Sequence, residues 1–313
     1  MLSGHDILTL LSIRRIGRRT VQRALDIAQD VDGPSDLISL LEEVRSQGGR
    51  VALPDPAAVA EAREASDRLV THTKELGIEI LTPHSDAFPE RLRHIPDAPV
   101  ILFARGRTDS LRHQESVAIV GTRHPTSYGR EVATRLGRRA AECGFVVVSG
   151  LAEGVDAAAH RGCLSVGGAT VAVLAHGLDR VYPTHHERLA QEIVDSDGCL
   201  VSEYPPTNRA HRSQFVERNR LQSGIGQCVI VVETDVKGGT MHTARFANEQ
   251  RRITACVRHP DGSSDIPQAQ GNRQLLTESQ AVPLASAEDM DNLLDRLSRE
   301  KLEGIGNQLE LFR

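Results

Sequence analysis

The segment from Arg209 to Arg220 concentrates side chains that can bind phosphate. It holds four arginines and one acidic residue, a local charge of +3 in a chain whose net charge is −5. Arginines neutralise phosphates, and an aromatic ring such as that of Phe215 can stack on a nucleic-acid base. A fixed arginine pair can equally act as a structural clamp on carboxylates. The pattern leaves two interpretations open, a phosphate-binding surface or an ion-paired scaffold.

A sheet of parallel strands is the scaffold that the sequence predicts for these residues. Apolar, β-branched runs alternate with helical patterns, and such strands are covered by helices on both faces. We therefore predict an α/β fold with an extended Rossmann-like, doubly wound, mostly parallel sheet and extra strands at one edge. The strand candidates are residues 78–81, 100–103, 117–120, 145–148, 170–174, 199–201, 228–232 and 253–257. The helix candidates between them include residues 127–143, 155–166, 185–196 and 241–251.

The chain divides into three predicted parts. Residues 1–55 read as a small helical module that ends in a linker rich in glycine and proline. Residues 75–285 form the Rossmann-like domain, and residues 286–313 form a helix from Ala287 to Leu297 followed by a flexible tail. The turn Arg14-Arg15-Ile16-Gly17-Arg18-Arg19 resembles the hairpin that touches DNA backbone in small helical modules. A basic helical turn without a ligand is the alternative.

Composition excludes several classes of function. The chain has 313 residues, 39% hydrophobic and 25% charged, as in soluble globular proteins. No apolar run approaches the about 18 residues of a membrane span, and the N-terminus lacks a signal-peptide pattern. Five cysteines stand singly, mostly in apolar runs, which predicts reduced thiols and a cytoplasmic location. The absence of Cys-x-x-Cys, Walker and dinucleotide-binding patterns predicts no metal and no cofactor.

Small residues follow three of the predicted strands where ligands bind in open parallel sheets. The three segments are Gly121-Thr122-Arg123, Ser149-Gly150 and Lys237-Gly238-Gly239-Thr240. Glycines let backbone N–H groups approach an anion, and an arginine meets phosphate with two hydrogen bonds. Tight turns of any doubly wound fold would also need such glycines.

Two further groups of titratable residues have alternative interpretations. Asp156 and His160 lie four apart on a predicted helix, so they form either an oriented general base or, more commonly, a structural brace. Glu203 and Glu233 follow strands, and we expect them to hold Arg218 and Arg220 in place.

Six ordered motifs resemble the DNA-processing protein family DprA, also called Smf. Gly121-Thr122-Arg123 resembles its GSR, and Phe215-Val216-Glu217-Arg218-Asn219-Arg220 is similar to its FPxRNR. The other four begin at Ser149, Ala172, Ser202 and Gly238. The departures are Val216 for proline, His186 for an asparagine after the Tyr-Pro pair, and Arg258-His259 for a proline-glycine pair. The chain lacks a recognisable C-terminal winged-helix segment, which indicates a divergent member.

The resemblance implies a non-catalytic protein that binds single-stranded DNA, forms homodimers and helps to load the RecA recombinase. It implies that Arg123 and Arg212 contact phosphate and that Phe215 receives or stacks a base. The expected DNA-binding set also contains residues of the strand ends and of the arginine motif: Gly121, Ser149, Gly150, Arg218, Asn219, Arg220, Lys237, Gly238, Gly239 and Thr240. A Rossmann-fold sensor or enzyme acting on a nucleotide-derived small molecule is the alternative function.

The segment Gln308-Leu309-Glu310-Leu311-Phe312 resembles the pentapeptide with which bacterial proteins bind the replication sliding clamp. An exposed Leu311-Phe312 pair is costly unless it docks into an apolar pocket, and Gln308 can hydrogen-bond at the rim of that pocket. The alternative is that Leu309, Leu311 and Phe312 fold back onto the protein's own core. We expect Gln308, Leu309, Leu311 and Phe312 to contact the clamp.

Overall fold

One nine-stranded sheet organises the part of the chain that the computed structural model describes, residues 1–28, 36–260 and 266–310. Its order is β1-β2-β6-β5-β4-β3-β7-β8-β9 once the strands are numbered along the chain. The strands are β1 Glu79–Leu81, β2 Leu102–Gly106, β3 Ser116–Val120, β4 Val146–Ser149, β5 Thr170–Leu174, β6 Cys199–Ser202, β7 Cys228–Val231, β8 Ile253–Val257 and β9 Val282–Leu284. Seven strands from β6 to β9 are parallel, and β1 and β2 extend the β6 edge antiparallel.

Thirteen α-helices accompany this sheet within the described residues. They are α1 Gly4–Ser12, α2 Arg18–Ile27, α3 Leu37–Ser46, α4 Pro56–Glu75, α5 Glu90–Arg93, α6 Asp109–Arg112, α7 Ser127–Glu142, α8 Val155–Leu164, α9 Glu187–Asp195, α10 Arg212–Ile225, α11 Gly239–Glu249, α12 Pro267–Thr277 and α13 Ala287–Glu310. Five strands are buried along their whole length because helices cover both faces of the sheet; they are β3, β4, β5, β6 and β7. The predicted Rossmann-like class and the extra strands at one edge are confirmed.

The order of the strands reverses between β3 and β7. The chain runs outward from β3 through β4 and β5 to β6, and α10 then carries it back to β7 on the other side of β3. The carboxyl ends of β3 and β7 therefore flank a topological switch point, the place where open α/β sheets bind their ligands.

The N-terminal helices share a hydrophobic cluster with the sheet. Ile7 and Leu41 belong to the same buried cluster as Phe103 of β2 and Leu174 of β5. Helix α4 was missed by the sequence prediction. Asp55 caps it by accepting from the Ala58 N–H at 2.7 Å, and Pro56 occupies its first turn. The domain boundaries at 55, 75 and 286 stay a prediction.

The last helix is longer than the sequence predicted. Helix α13 begins at Ala287 as predicted but continues past the predicted end at Leu297 to Glu310, through Gly304 and Gly306. A glycine in a helix costs only about 1 kcal/mol, which good helix formers nearby can offset. Leu311 and Phe312 lie outside the described residues, and only the backbone is described for Gln308 and Leu309. In the described part of the chain, no helix combines the length and apolarity that a membrane crossing needs.

Candidate functional site

A cleft of about 700 Å³ lies at the switch point. Its walls come from the loops after β3 and β7, from the cleft-facing side of α10 and from the first turn of α11. The predicted site residues that line it are Gly121, Arg123, Arg212, Phe215, Arg218, Asn219, Lys237, Gly238, Gly239 and Thr240. The structure therefore brings together ten of the thirteen residues that we expected to bind DNA.

Helix α10 presents the arginine motif to this cleft. Arg212, Phe215, Asn219 and Gln222 follow one another at helical spacing, and all four line the cleft. The helix begins with a reciprocal cap, in which the side chain of His211 accepts from the Ser213 N–H and that of Gln214 from the His211 N–H. Arg212 at the first turn is exposed, whereas the residues after Glu217 are buried.

Phe215 sits half-buried at the rim between two other side chains. The guanidinium carbon of Arg123 lies 4.9 Å from the centre of the ring, a cation–π distance. The ring of Tyr182 lies 5.8 Å away, centre to centre, at an angle of 57°. Tyr182 is 50% exposed. Tyr182 was not among the predicted site residues, because only the tertiary structure brings it beside Phe215.

Arg218 forms the floor of the cleft and is only 5% exposed. Its Nη1 donates to the Val173 carbonyl at 2.9 Å and to the Gln222 side-chain oxygen at 2.9 Å. Burial lowers the pKa of Arg218 to about 10, and the opposite charge of Asp156 counteracts this. Arg218 therefore stays charged at neutral pH. A side chain at Gly150 would overlap its guanidinium, so Gly150 is the residue that makes room for it.

Arg220, one of the residues that we expected to bind DNA, lies outside the cleft, in keeping with the alternative that the arginine motif shapes the pocket. It is 3% exposed and does not line the cleft. Its guanidinium binds the Glu203 carboxylate, and its Nε lies 3.4 Å from Asp97 Oδ2. Arg18 of α2 binds the same two carboxylates, with its Nη1 3.2 Å from Glu203 Oε1. The expected clamp of Glu203 on Arg220 is confirmed, and Arg18 serves this network.

Ser149 and Glu233 also differ from expectation. Ser149 is fully buried and donates to the Ile119 carbonyl at 2.7 Å, which ties β4 to β3, so it offers no surface for DNA. Glu233 does not hold the arginines. Its carboxylate accepts from the Thr126 N–H at 2.8 Å and from the Thr126 hydroxyl at 2.5 Å, which anchors the start of α7. The clamp role predicted for Glu233 was wrong.

The first turn of α11 provides backbone donors on the cleft wall opposite α10. Gly238 is the N-cap and offers no side chain to the free N–H groups of the helix. Asn219 donates from its side chain to the Gly239 carbonyl at 3.2 Å, which fixes α11 against α10. Lys237 is exposed just before this turn. An uncapped helix N-terminus beside a lysine attracts anions.

Asp156 and His160 do not pair with each other. The Asp156 carboxylate accepts from the Gly150 N–H at 3.1 Å, whereas His160 Nδ1 lies 2.7 Å from the Thr170 hydroxyl. Burial raises the pKa of Asp156 and lowers the pKa of His160 to about 3. His160 is therefore neutral at physiological pH and braces α8 against β5. In the described residues, no group of three or more His, Cys, Asp and Glu side chains could hold a metal ion.

An open, mostly parallel sheet with a cationic cleft at its switch point defines a Rossmann-like protein with a site suited to phosphate. The chain belongs to the family of DNA recombination-mediator protein A, whose model matches residues 79–295. This assignment confirms the family resemblance.

Three known proteins illustrate the relationship. The Smf protein of Synechocystis is 38% identical over 213 residues, which cover 66% of this chain and 52% of that protein. The chain thus spans about half the length of that relative. The X-ray structure of DprA from Streptococcus pneumoniae has a TM-score of 0.78 at 28% identity, covering 92% of this chain and 96% of that one. The DprA structure from Helicobacter pylori, described as revealing a single-stranded DNA binding mode, has a TM-score of 0.61 at 30% identity, covering 71% of this chain and 96% of that one.

Proposed function

We propose that this protein binds single-stranded DNA in the switch-point cleft and acts as a recombination mediator. The observation that carries the proposal is the rim of the cleft, which the exposed cations Arg123, Arg212 and Lys237 line together with the half-buried ring of Phe215. Such a rim offers phosphate contacts beside a stacking position, the combination that sequence-tolerant strand binding requires. The family assignment and the H. pylori relative support the same conclusion.

The contact between Arg123 and Phe215 connects the two kinds of DNA contact. The Arg123 guanidinium lies over the ring at 4.9 Å, so part of the stacking surface is occupied in the free protein. A phosphate that draws Arg123 away from the ring would leave that surface free for a base. Phosphate binding and base stacking are then coupled through one side chain.

The proposed function is binding without catalysis. Asp156 and His160, the residues that suggested a general base, are engaged separately with Gly150 and Thr170. The lowered pKa of His160 leaves it a poor proton acceptor at neutral pH.

Fluorescence anisotropy with a labelled oligo-dT of about 6 nucleotides, which fills the cleft, tests this proposal at two salt concentrations. We expect micromolar or tighter binding with a log–log salt slope of roughly −2, because about three phosphates are neutralised. A parallel titration with mononucleotides addresses the alternative, a sensor or enzyme for a nucleotide-derived ligand. Tight mononucleotide binding with no affinity for the oligonucleotide would contradict the proposal.

Homodimer formation and RecA loading are parts of the proposal that the family resemblance supports. Light scattering after gel filtration should give twice the chain mass of 34.1 kDa. Adding the protein should also accelerate RecA assembly on single strands that are already coated with single-strand-binding protein. A monomeric mass would exclude homodimer formation. RecA assembly at the rate seen without the protein would exclude RecA loading. A cytoplasmic location also belongs to the proposal, in keeping with the five free cysteines.

We further propose that residues Gln308, Leu309, Leu311 and Phe312 bind a bacterial sliding clamp. The support is the order of residue types in the segment, with Glu310 in place of serine or aspartate. Surface plasmon resonance of the full chain on immobilised clamp is the test. Leu311→Ala combined with Phe312→Ala should abolish binding, whereas Glu303→Ala should not. Equal binding by the parent and the double variant would exclude this role.

A further inference from the structure

A second groove of about 430 Å³ adjoins the switch-point cleft. Arg123 and His124 line both cavities, so the loop after β3 forms the divide between them. The groove is otherwise lined by the first turn of α7, by residues from the start of α8 to its last turn, and by the segment before α9. Its cationic side chains besides Arg123 are Arg130 of α7 and Arg161 of α8.

The arginines that line this groove differ in their ion pairing from the other arginines of α7. Three other arginines of α7 are ion-paired: Arg135 with Glu131, Arg138 with Glu142, and Arg139 with both Glu142 and Asp291. Arg130 and Arg161 are exposed and have no ion pair among the residues that the structure describes. The groove arginines are therefore free to bind an anion, unlike their neighbours.

One carboxylate lines the groove, and it is already engaged. Glu153 Oε1 lies 3.2 Å from His185 Nε2, so the carboxylate already has a polar neighbour. His186 is buried, and its Nδ1 lies 2.9 Å from the Leu151 carbonyl. Burial lowers the pKa of His186, so this ring is neutral and leaves the anion to the arginines.

The packing of α7 against α8 fixes the backbone positions of the two arginines. Helices α7 and α8 approach so closely that a side chain at Gly162 would overlap the Thr134 backbone. Arg130 lies one turn before Thr134, and Arg161 directly precedes Gly162. The Val155 N–H donates to the Thr122 carbonyl at 3.2 Å, which fixes α8 to the loop that carries Arg123. Three arginines are thus presented from one rigid unit, and this limits the entropy that binding costs.

We propose that a DNA strand leaving the cleft passes Arg123 and continues through this groove, where Arg130 and Arg161 each bind a backbone phosphate. The inference rests on the proposed function and extends it, because it assigns a second subsite for the sugar-phosphate backbone. Guanidinium groups match phosphate with two parallel hydrogen bonds. The groove has no aromatic ring other than histidine among its lining residues. It therefore binds backbone without stacking bases.

Oligonucleotide length separates the two subsites. Anisotropy titrations would compare an oligo-dT of about 6 nucleotides, which fills the cleft, with one of about 20, which reaches the groove. The test protein carries Arg130→Ala and Arg161→Ala. The matched control carries Arg135→Ala and Arg138→Ala, two exposed arginines that are already ion-paired.

The groove variant should bind the short strand like the parent and the long strand about tenfold more weakly at low salt. Its salt slope with the long strand should shrink by about 1.4, because two phosphates are lost. The control should match the parent with both strands. Equal long-strand affinity in the groove variant and the control would overturn the groove, as would an equal loss with both lengths. Failure of the parent to bind either strand would instead overturn the proposed function.

Discussion

The rim and the floor of the switch-point cleft use the same residue type for opposite purposes. Arg123 and Arg212 at the rim are exposed, and no ion pair holds them among the described residues. Arg218 at the floor comes from the same helix as Arg212 but is buried and donates to the Val173 carbonyl. Arg220 of that helix is buried outside the cleft and binds Glu203. The difference teaches that exposure and partners, rather than residue type, decide which arginines remain available to a ligand.

Breaking the floor should have the largest effect. Arg218→Ala leaves the Val173 carbonyl without its donor and the buried Asp156 without its nearby opposite charge, and each such buried group costs about 1–3 kcal/mol in the free energy of unfolding. Urea denaturation followed by circular dichroism measures this loss. The rim variant Arg212→Ala should stay within about 0.5 kcal/mol of the parent. If the two variants unfolded at the same urea concentration, floor and rim would not differ in the way described.

Removing the ring from the rim should have the next largest effect, and on binding rather than on folding. Phe215→Ala should weaken oligo-dT binding by about 1–3 kcal/mol, because it deletes a stacking surface. The half-buried ring contributes less to the core than a fully buried one, so the melting temperature should change little. Anisotropy and thermal unfolding on the same sample separate the two. A large drop in melting temperature would assign Phe215 to the core, and unchanged affinity in a stable variant would exclude stacking.

Lowering the pH should have a smaller effect, which falls on the stability of the buried scaffold and not on the DNA-binding rim. His160 has a folded-state pKa of about 3 against an ordinary 6.5, so its stabilising contribution is complete above pH 6.5 and is lost as the pH falls toward 3. The loss is at most about 1.4 kcal/mol per pH unit. Urea titrations between about pH 7.5 and pH 5 should show a shallower decline for His160→Leu than for the parent.

The arginines of the rim keep their charge over that range, so the affinity of the folded protein for oligo-dT should not fall. Parallel stability curves for the parent and His160→Leu would show that His160 is not the group that titrates.

Much of the sheet could be predicted from the sequence because its strands are buried on both faces. The apolar runs at 170–174 and 253–257 match β5 and β8 residue for residue. Helix α10 gave no such signal, since its buried residues include Arg218, Asn219 and Gln222 beside the apolar Leu221 and Ile225. Strand β9 is short and contains Pro283, a residue that argues against a strand.

The site was predictable in composition but not in layout. Arg123 could be chosen because it follows a strand, and Phe215 because it lies in a basic segment. The clamp of Glu203 on Arg220 was predicted, but Asp97, the second carboxylate of that network, is distant in sequence, and no local pattern reports its contact with Arg220. The position of Tyr182 beside Phe215 depends in the same way on long-range packing.

The salt dependence of strand binding tests the central claim most directly, that the rim binds the backbone. We predict a log–log slope of roughly −2 for the parent with an oligo-dT of about 6 nucleotides, and a loss of about 0.7 for each of Arg123→Ala and Arg212→Ala. The control Arg135→Ala, whose charge is already paired with Glu131, should keep the parent slope. Identical slopes for all four proteins would show that the strand binds elsewhere and would contradict the account.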